Sequence, residues 1–191
     1  MIKLIDILNE VTGDTFQMYH GGNKWITPPE IRPSKNGRYE GGVGIYLTND
    51  YDRARKYAKG SNVVQIVDVD KNFKDLKDTK VPLEKIIEFL NSVHGLKKRK
   101  EIINDLQRVA SRTGNDIRLT TLNNLIVNWQ SGSGDVGIQL KDFFVQNGAD
   151  ANLQDQSGDE YWLVVFNPKI IKKYSVVDSK RVTDYILPKG I

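Results

Sequence analysis

The chain of 191 residues predicts an α+β domain, on two observations. Strand-like segments fill the first third, helical periodicity runs from Pro82 to Asn147, and strand character returns after Gly148. Neither a G-x-G-x-x-G turn after a strand nor a P-loop is present, so an alternating βαβ dinucleotide fold is disfavoured. The length suits one domain with a sizeable core.

Taken in order, "MIKLIDILNEV" has its apolar residues broken by Lys3, Asp6 and Glu10. A signal peptide needs an unbroken apolar stretch, so 1–12 is expected to be an amphipathic helix ended near Gly13. "TFQMYHGG" (15–22) reads as a strand running into a double-glycine turn, and 23–42 as a loop punctuated by Pro28, Pro29, Pro33 and Gly37. "GIYLT" is a short strand, and Asn49 and Asp50 can cap a helix over 50–59 that Gly60 stops. "NVVQIVDVD" (62–70) alternates its later residues and predicts a half-buried strand.

The helical middle starts with "LEKIIEFLNSV" behind Pro82, followed by segments near 98–111, 119–130 and 136–147, divided by glycines at 95, 114, 132, 134, 137 and 148. "EYWLVVFNP" (160–168) and "KKYSVVD" (172–178) close the chain as strands.

Composition narrows the function. An apolar fraction of 39% and a charged fraction of 27% are those of a globular protein. There is no apolar run long enough for a bilayer span, so a soluble, cytoplasmic protein with no membrane partner is expected. Without cysteine there is no disulfide framework or thiolate metal site, and two histidines, His20 and His94, cannot make a His-rich metal cluster. A net charge of +4 and the run "LKKRK" at 96–100 leave a phosphate-bearing partner open, although such a run is more often simply a solvated helix face.

Four features carry potential chemistry. His20 precedes Gly21 and Gly22, whose missing side chains let a ligand approach the backbone. Tyr46 and Tyr57 lie eleven positions apart across a strand-to-helix turn. Glu160 opens an apolar strand and on a two-residue period shares a face with Trp162, Val164 and Phe166. Arg32, Lys35 and Arg38 are loop cations of the kind that hold phosphates. No G-x-S-x-G occurs, and Asp159 and Glu160 point to opposite strand faces, which argues against a serine hydrolase and a two-carboxylate glycosidase.

In order, "YHGG" (19–22), "GVGIYLTNDYDRARKYA", "VVQIVDVDKNFKDL" (63–76) and "EYWLVVFNPKIIKKYSVV" (160–177) resemble the ADP-ribosyltransferase family, in its diphtheria-toxin-like and poly-ADP-ribose-polymerase-like branch with a His, Tyr, Glu signature. The likeness covers roughly the first 75 residues and the last 30 to 35 before the tail; the helical middle matches no part of it. It departs from the pattern at Gly22, where Ser or Thr is common, and at Ala54, where the polymerase branch has a serine. Glu160 stands six residues before Phe166 rather than four, which keeps its strand face; Asp159 or Asp155 would serve in another register.

The resemblance implies a split antiparallel β-sandwich with the helical segment 82–147 inserted in a single domain. It implies NAD⁺ as substrate, no metal, and transfer of ADP-ribose to a macromolecular acceptor, a protein ahead of a nucleic acid, in a bacterial or phage effector role. Glu160 would stabilise the ribose cation, and His20 would hold a ribose hydroxyl. The backbone at Gly21 and Gly22 would meet the nicotinamide amide, Tyr46 and Tyr57 would stack on its ring, and Arg32 would reach the pyrophosphate or adenine. An NAD⁺- or ADP-ribose-binding module without activity, a phage structural protein, modification of RNA or DNA, and an RNA 2′-phosphotransferase remain alternatives.

Overall fold

The computed structural model describes residues 13–22, 25, 29–31, 41–58, 63–129, 134–156 and 158–178. The expected N-terminal helix over 1–12, and Arg32, Lys35 and Arg38, lie outside the described residues.

Among the described residues eight strands and five α-helices follow one another in the order β1 (Thr15–Gly22), β2 (Ile45–Thr48), α1 (Tyr51–Tyr57), β3 (Val63–Asp70), β4 (Lys80–Pro82), α2 (Leu83–Ser92), α3 (Arg99–Thr113), β5 (Asp116–Arg118), α4 (Leu119–Trp129), α5 (Gly134–Gln146), β6 (Ala151–Asp155), β7 (Tyr161–Val165) and β8 (Ile171–Asp178). Six strands make one sheet in the order β6-β7-β2-β1-β3-β8, with every neighbouring pair antiparallel. The fold is therefore mixed α+β around a mainly antiparallel sheet.

Alternation along the strands divides the sheet's two faces. Phe16 and Met18 of β1, Ile45 and Leu47 of β2, Val67 and Val69 of β3, and Leu163 and Val165 of β7 form one buried cluster. The opposite face carries two. Tyr19, Val64 and Ile66 pack against Tyr51, Ala54 and Ala58 of α1 and the residue after it. Val164 and Phe166 pack against the helical layer through Phe144 and Leu122. Strand β3 is buried on both faces over residues 64–67, where α1 lies above and a second core below, so the half-buried strand expected from its alternation is corrected there. Towards its end Val69 is buried while Asp68 and Asp70 stay partly exposed, as the alternation predicts.

The helical middle differs from expectation in two ways. A small ladder pairs Val81 with Ile117 and closes the ends of α2 and α3. Gly137 does not divide helices but lies buried within α5, while Gly95 and Gly114 do end helical stretches in positive φ. Within "LKKRK", Arg99 turns back and donates to the carbonyls of Leu90 and Val93, both at 2.8 Å, closing the end of α2. That arginine is structural. Among the described residues no helix is long and apolar enough to cross a membrane.

Candidate active site

The join between β1 and β2 is the weak seam of the sheet. Strand β1 is in register with β3 over its whole length, from Thr15 opposite Asp70 to Gly22 opposite Val63. Strand β2 is in register with β7 over all of Ile45–Thr48. Between the two halves the register holds one pair, Tyr19 opposite Thr48. Beyond it a side chain bridges the seam: His20 Nδ1 donates to the carbonyl of Tyr46 at 2.8 Å. A carbonyl only accepts, so the proton sits on Nδ1 and the lone pair of a neutral imidazole sits on Nε2. Burial pushes the His20 pKa below its ordinary value, against the opposing pull of the Tyr46 carbonyl, so the ring is neutral at physiological pH.

Trp25 lies against the His20 ring, with centroids 4.9 Å apart, and is itself met edge-on by Tyr174 at 5.3 Å. Each of the two following glycines has its own reason. A Cβ on Gly21 would lie 1.7 Å from the backbone oxygen of Ala54, so α1 rests directly on the β1 backbone there. A Cβ on Gly22 would lie 2.8 Å from His20 Nε2, so the bare glycine keeps that lone pair uncrowded.

Helix α1 docks on β1 through Tyr51, whose ring meets Tyr19 edge-on at 5.2 Å, and through Ala54. Its N-terminus is capped by Asp50, which accepts from the Arg53 N–H at 3.0 Å. Asn49 does something else. Its Nδ2 donates to the Asp159 carbonyl at 2.8 Å, its Oδ1 accepts from the Tyr161 N–H at 2.7 Å, and its own N–H donates to the Tyr161 carbonyl at 3.2 Å. The backbone on both sides of Glu160 is thus fixed to the corner between β2 and α1.

Glu160 faces α1, on the same side of the sheet as Trp162 and Val164. Its side chain is 12% exposed and takes a two-pronged grip from Arg53, with Nε 3.0 Å from Oε1 and Nη2 2.9 Å from Oε2. The Trp162 indole N–H also donates to Oε1. The Arg53 hydrogen bond is the main cause that holds the Glu160 carboxyl below the usual carboxylate range, with Trp162, the Arg53 charge and Lys56 adding to it against the cost of burial. The group is a carboxylate throughout the physiological range. Asp155 stands opposite Tyr161 in the β6–β7 ladder and so takes the other strand face, while Asp159 is exposed in the preceding turn.

The two tyrosines differ in setting. Tyr46 is half-buried, faces the helical layer, and is pinned by its hydroxyl, which donates to the Gly42 carbonyl at 2.8 Å and accepts from the Gly41 N–H at 3.2 Å. Tyr57 is 60% exposed, and the ring it meets is that of Trp162, edge-on at 6.4 Å. The structure thus sets Tyr46 on β2 and Glu160 at the entry to β7 on the α1 side of the sheet, with Tyr57 over Trp162. His20 shares the parity of Phe16 and Met18 on β1, packs on Trp25 and lies on the opposite face, meeting the others only across the seam. Arg53 and Trp25 were not singled out by the sequence, and Asn49, read there as a helix cap beside Asp50, instead clamps the entry to β7 while Asp50 alone caps α1. Arg53 precedes Tyr57 by one helical turn and so shares its face, which is the one signal that points to it; Asn49 and Trp25 act through contacts distant in sequence.

Among the described residues no group of three or more His, Asp or Glu side chains could hold a metal ion. Comparison of the chain with protein-family models, with curated proteins and with solved structures gives no match.

Proposed function

We propose that the protein is a NAD⁺-dependent mono-ADP-ribosyltransferase that modifies a macromolecular acceptor, a protein ahead of a nucleic acid, as a bacterial or phage effector acting in the cytoplasm. The observation that carries the reading is the seam between β1 and β2: a neutral histidine bridges it from one face of the sheet, and an ionised glutamate at the start of the strand beyond β2 lies on the other face, which also bears Tyr46 and Tyr57, so a ligand that touches both sides must enter at the seam. Its antiparallel sheet, with one register pair between β1 and β2, is compatible with the split architecture that the resemblance implies.

The chemistry follows from those groups. The bond between ribose C1 and the nicotinamide nitrogen breaks with its electron pair going to the nicotinamide ring, which leaves neutral. Positive charge develops on the ribose, and the Glu160 carboxylate stabilises it while accepting from a ribose hydroxyl. His20 Nε2 accepts from a ribose hydroxyl and fixes the sugar. The acceptor's nucleophile then bonds to C1, and its proton passes to Glu160 or water. Tyr46, Tyr57 and Trp162 offer aromatic surface for the departing ring, each offset contact contributing about 0.5–1.5 kcal/mol beyond burial. No step asks for a metal.

A second reading, an NAD⁺- or ADP-ribose-binding module without transfer, is favoured by the arginine already gripping Glu160. Incubation with labelled NAD⁺ and a cell lysate separates the two. The transferase labels a macromolecule, the label disappears in Glu160→Ala, and protease or nuclease digestion identifies the acceptor class. Thermal stabilisation by NAD⁺ without label supports the binding module. A protein that NAD⁺ neither stabilises nor labels overturns both.

A further inference from the structure

Arg53 reaches across the fold to a residue 107 positions later. An ionised carboxylate has about four lone-pair sites, two on each oxygen. Oε1 receives Arg53 Nε and the Trp162 indole, and Oε2 receives Arg53 Nη2, with Nε at 3.3 Å as a longer branch. One good acceptor site remains, on Oε2. The plane of the head group is set by a guanidinium, and the backbone beneath it by the Asn49 amide, so one corner of the structure holds the acid at both ends. The pair is not an ordinary surface ion pair: the arginine side chain is 42% exposed, but its partner only 12%.

We propose that Arg53 is a positioning residue for ribosyl transfer, holding the Glu160 carboxylate in one plane with its remaining Oε2 lone pair presented to a ribose hydroxyl. The proposal rests on the transferase reading. A guanidinium is suited to the task because its planar fork fixes both oxygens, whereas a lysine at the same place supplies charge without the plane. The charged groups around the carboxylate are Arg53 and Lys56, both from α1, and Asp50 and Tyr57 act in turn on Arg53. Asp159 adjoins it in the chain.

The full-length chain tests this by nicotinamide release from NAD⁺ across pH, together with a carboxyl-carbon NMR titration of Glu160. Arg53→Gln is expected to let the carboxyl titrate at higher pH, to move the acid limb of kcat the same way, and to lower kcat about ten- to a hundredfold with little change in KM for NAD⁺. Arg53→Lys is expected to return the titration toward wild type while kcat stays low. Wild-type titration and kcat in Arg53→Gln, or a faster enzyme, overturns the proposal, as does full recovery of kcat in Arg53→Lys. If the wild type neither releases nicotinamide nor is stabilised by NAD⁺, the transferase reading fails and this role with it, and a titration that still moves in Arg53→Gln identifies that failure as one of function rather than of the contact.

Discussion

His20 carries its proton on Nδ1 because a backbone carbonyl stands there, and burial keeps the second nitrogen unprotonated. Its pKa is lower folded than unfolded, so the unfolded chain binds more protons and stability rises with pH. The His20 contribution is expected to be lost as pH falls from the ordinary value near 6.5 through the folded one, and chemical denaturation of His20→Gln should lack that part of the slope. The tyrosines separate on different measurements. Tyr46→Phe loses the hydroxyl contacts to Gly41 and Gly42 and should cost about 1 kcal/mol of stability. Tyr57→Ala removes an exposed ring, so its Tm should stay near wild type while stabilisation by NAD⁺ shrinks. Unchanged NAD⁺ stabilisation in both variants would mean that these rings serve packing alone.

Between β2 and α1 the sequence "TNDY" does three jobs with consecutive residues. Thr48 pairs with Tyr19 across the seam, Asn49 staples the start of β7, and Asp50 caps α1. Asn49→Ala should therefore lower stability by only about 1 kcal/mol, since its bonds are exposed, but should slow nicotinamide release, because the backbone on either side of Glu160 is no longer held. The adjacent glycines of β1 give a sharper contrast. Gly21→Ala drives a methyl into the α1 backbone and should cost about 1–3 kcal/mol or more in denaturant melts. Gly22→Ala meets the edge of the His20 ring rather than backbone, so it should displace the His20 contact to Tyr46 and weaken NAD⁺ binding with a smaller loss of stability.

Across the whole molecule the helical middle is not an independent appendage. Its core includes Val164 and Phe166 from the β7 strand and the residue after it, and Phe144 of α5 meets the Phe166 ring at 5.2 Å. Far-ultraviolet and tryptophan fluorescence transitions are expected to coincide, and Phe144→Ala should lower both by about 3–5 kcal/mol. Two separate transitions would show that the helices melt alone. Acid should also unfold the protein progressively: Glu160 is held low by Arg53 and Asp70 by Lys172, so their contributions are present above the unfolded carboxylate values and are lost as pH falls through the folded ones.

Alternation in "TFQMYHGG", "GIYLT" and "EYWLVV" made those strands legible, and the 3.6-residue period made the four middle helices legible, because each of these segments has a face that must be buried. The same parity put Glu160 on the face of Trp162 without any coordinates. The sequence said much less about β4, β5 and β6, which are three to five residues long and whose pairing partners lie far along the chain. Nor did it mark Arg53 as the partner of Glu160, or Asn49 as the clamp around it, since a hydrogen bond between residues more than 100 positions apart leaves no local pattern. The sequence by itself therefore determined which residues alternate, cap and turn, and so the α+β class and the order His20, Tyr46, Glu160. Only the tertiary structure decided that β1, β2 and β7 lie side by side, that His20 bridges the seam as a neutral ring, and that the acid is held by α1, because strand adjacency and the solvation of a buried group depend on every element packed around them.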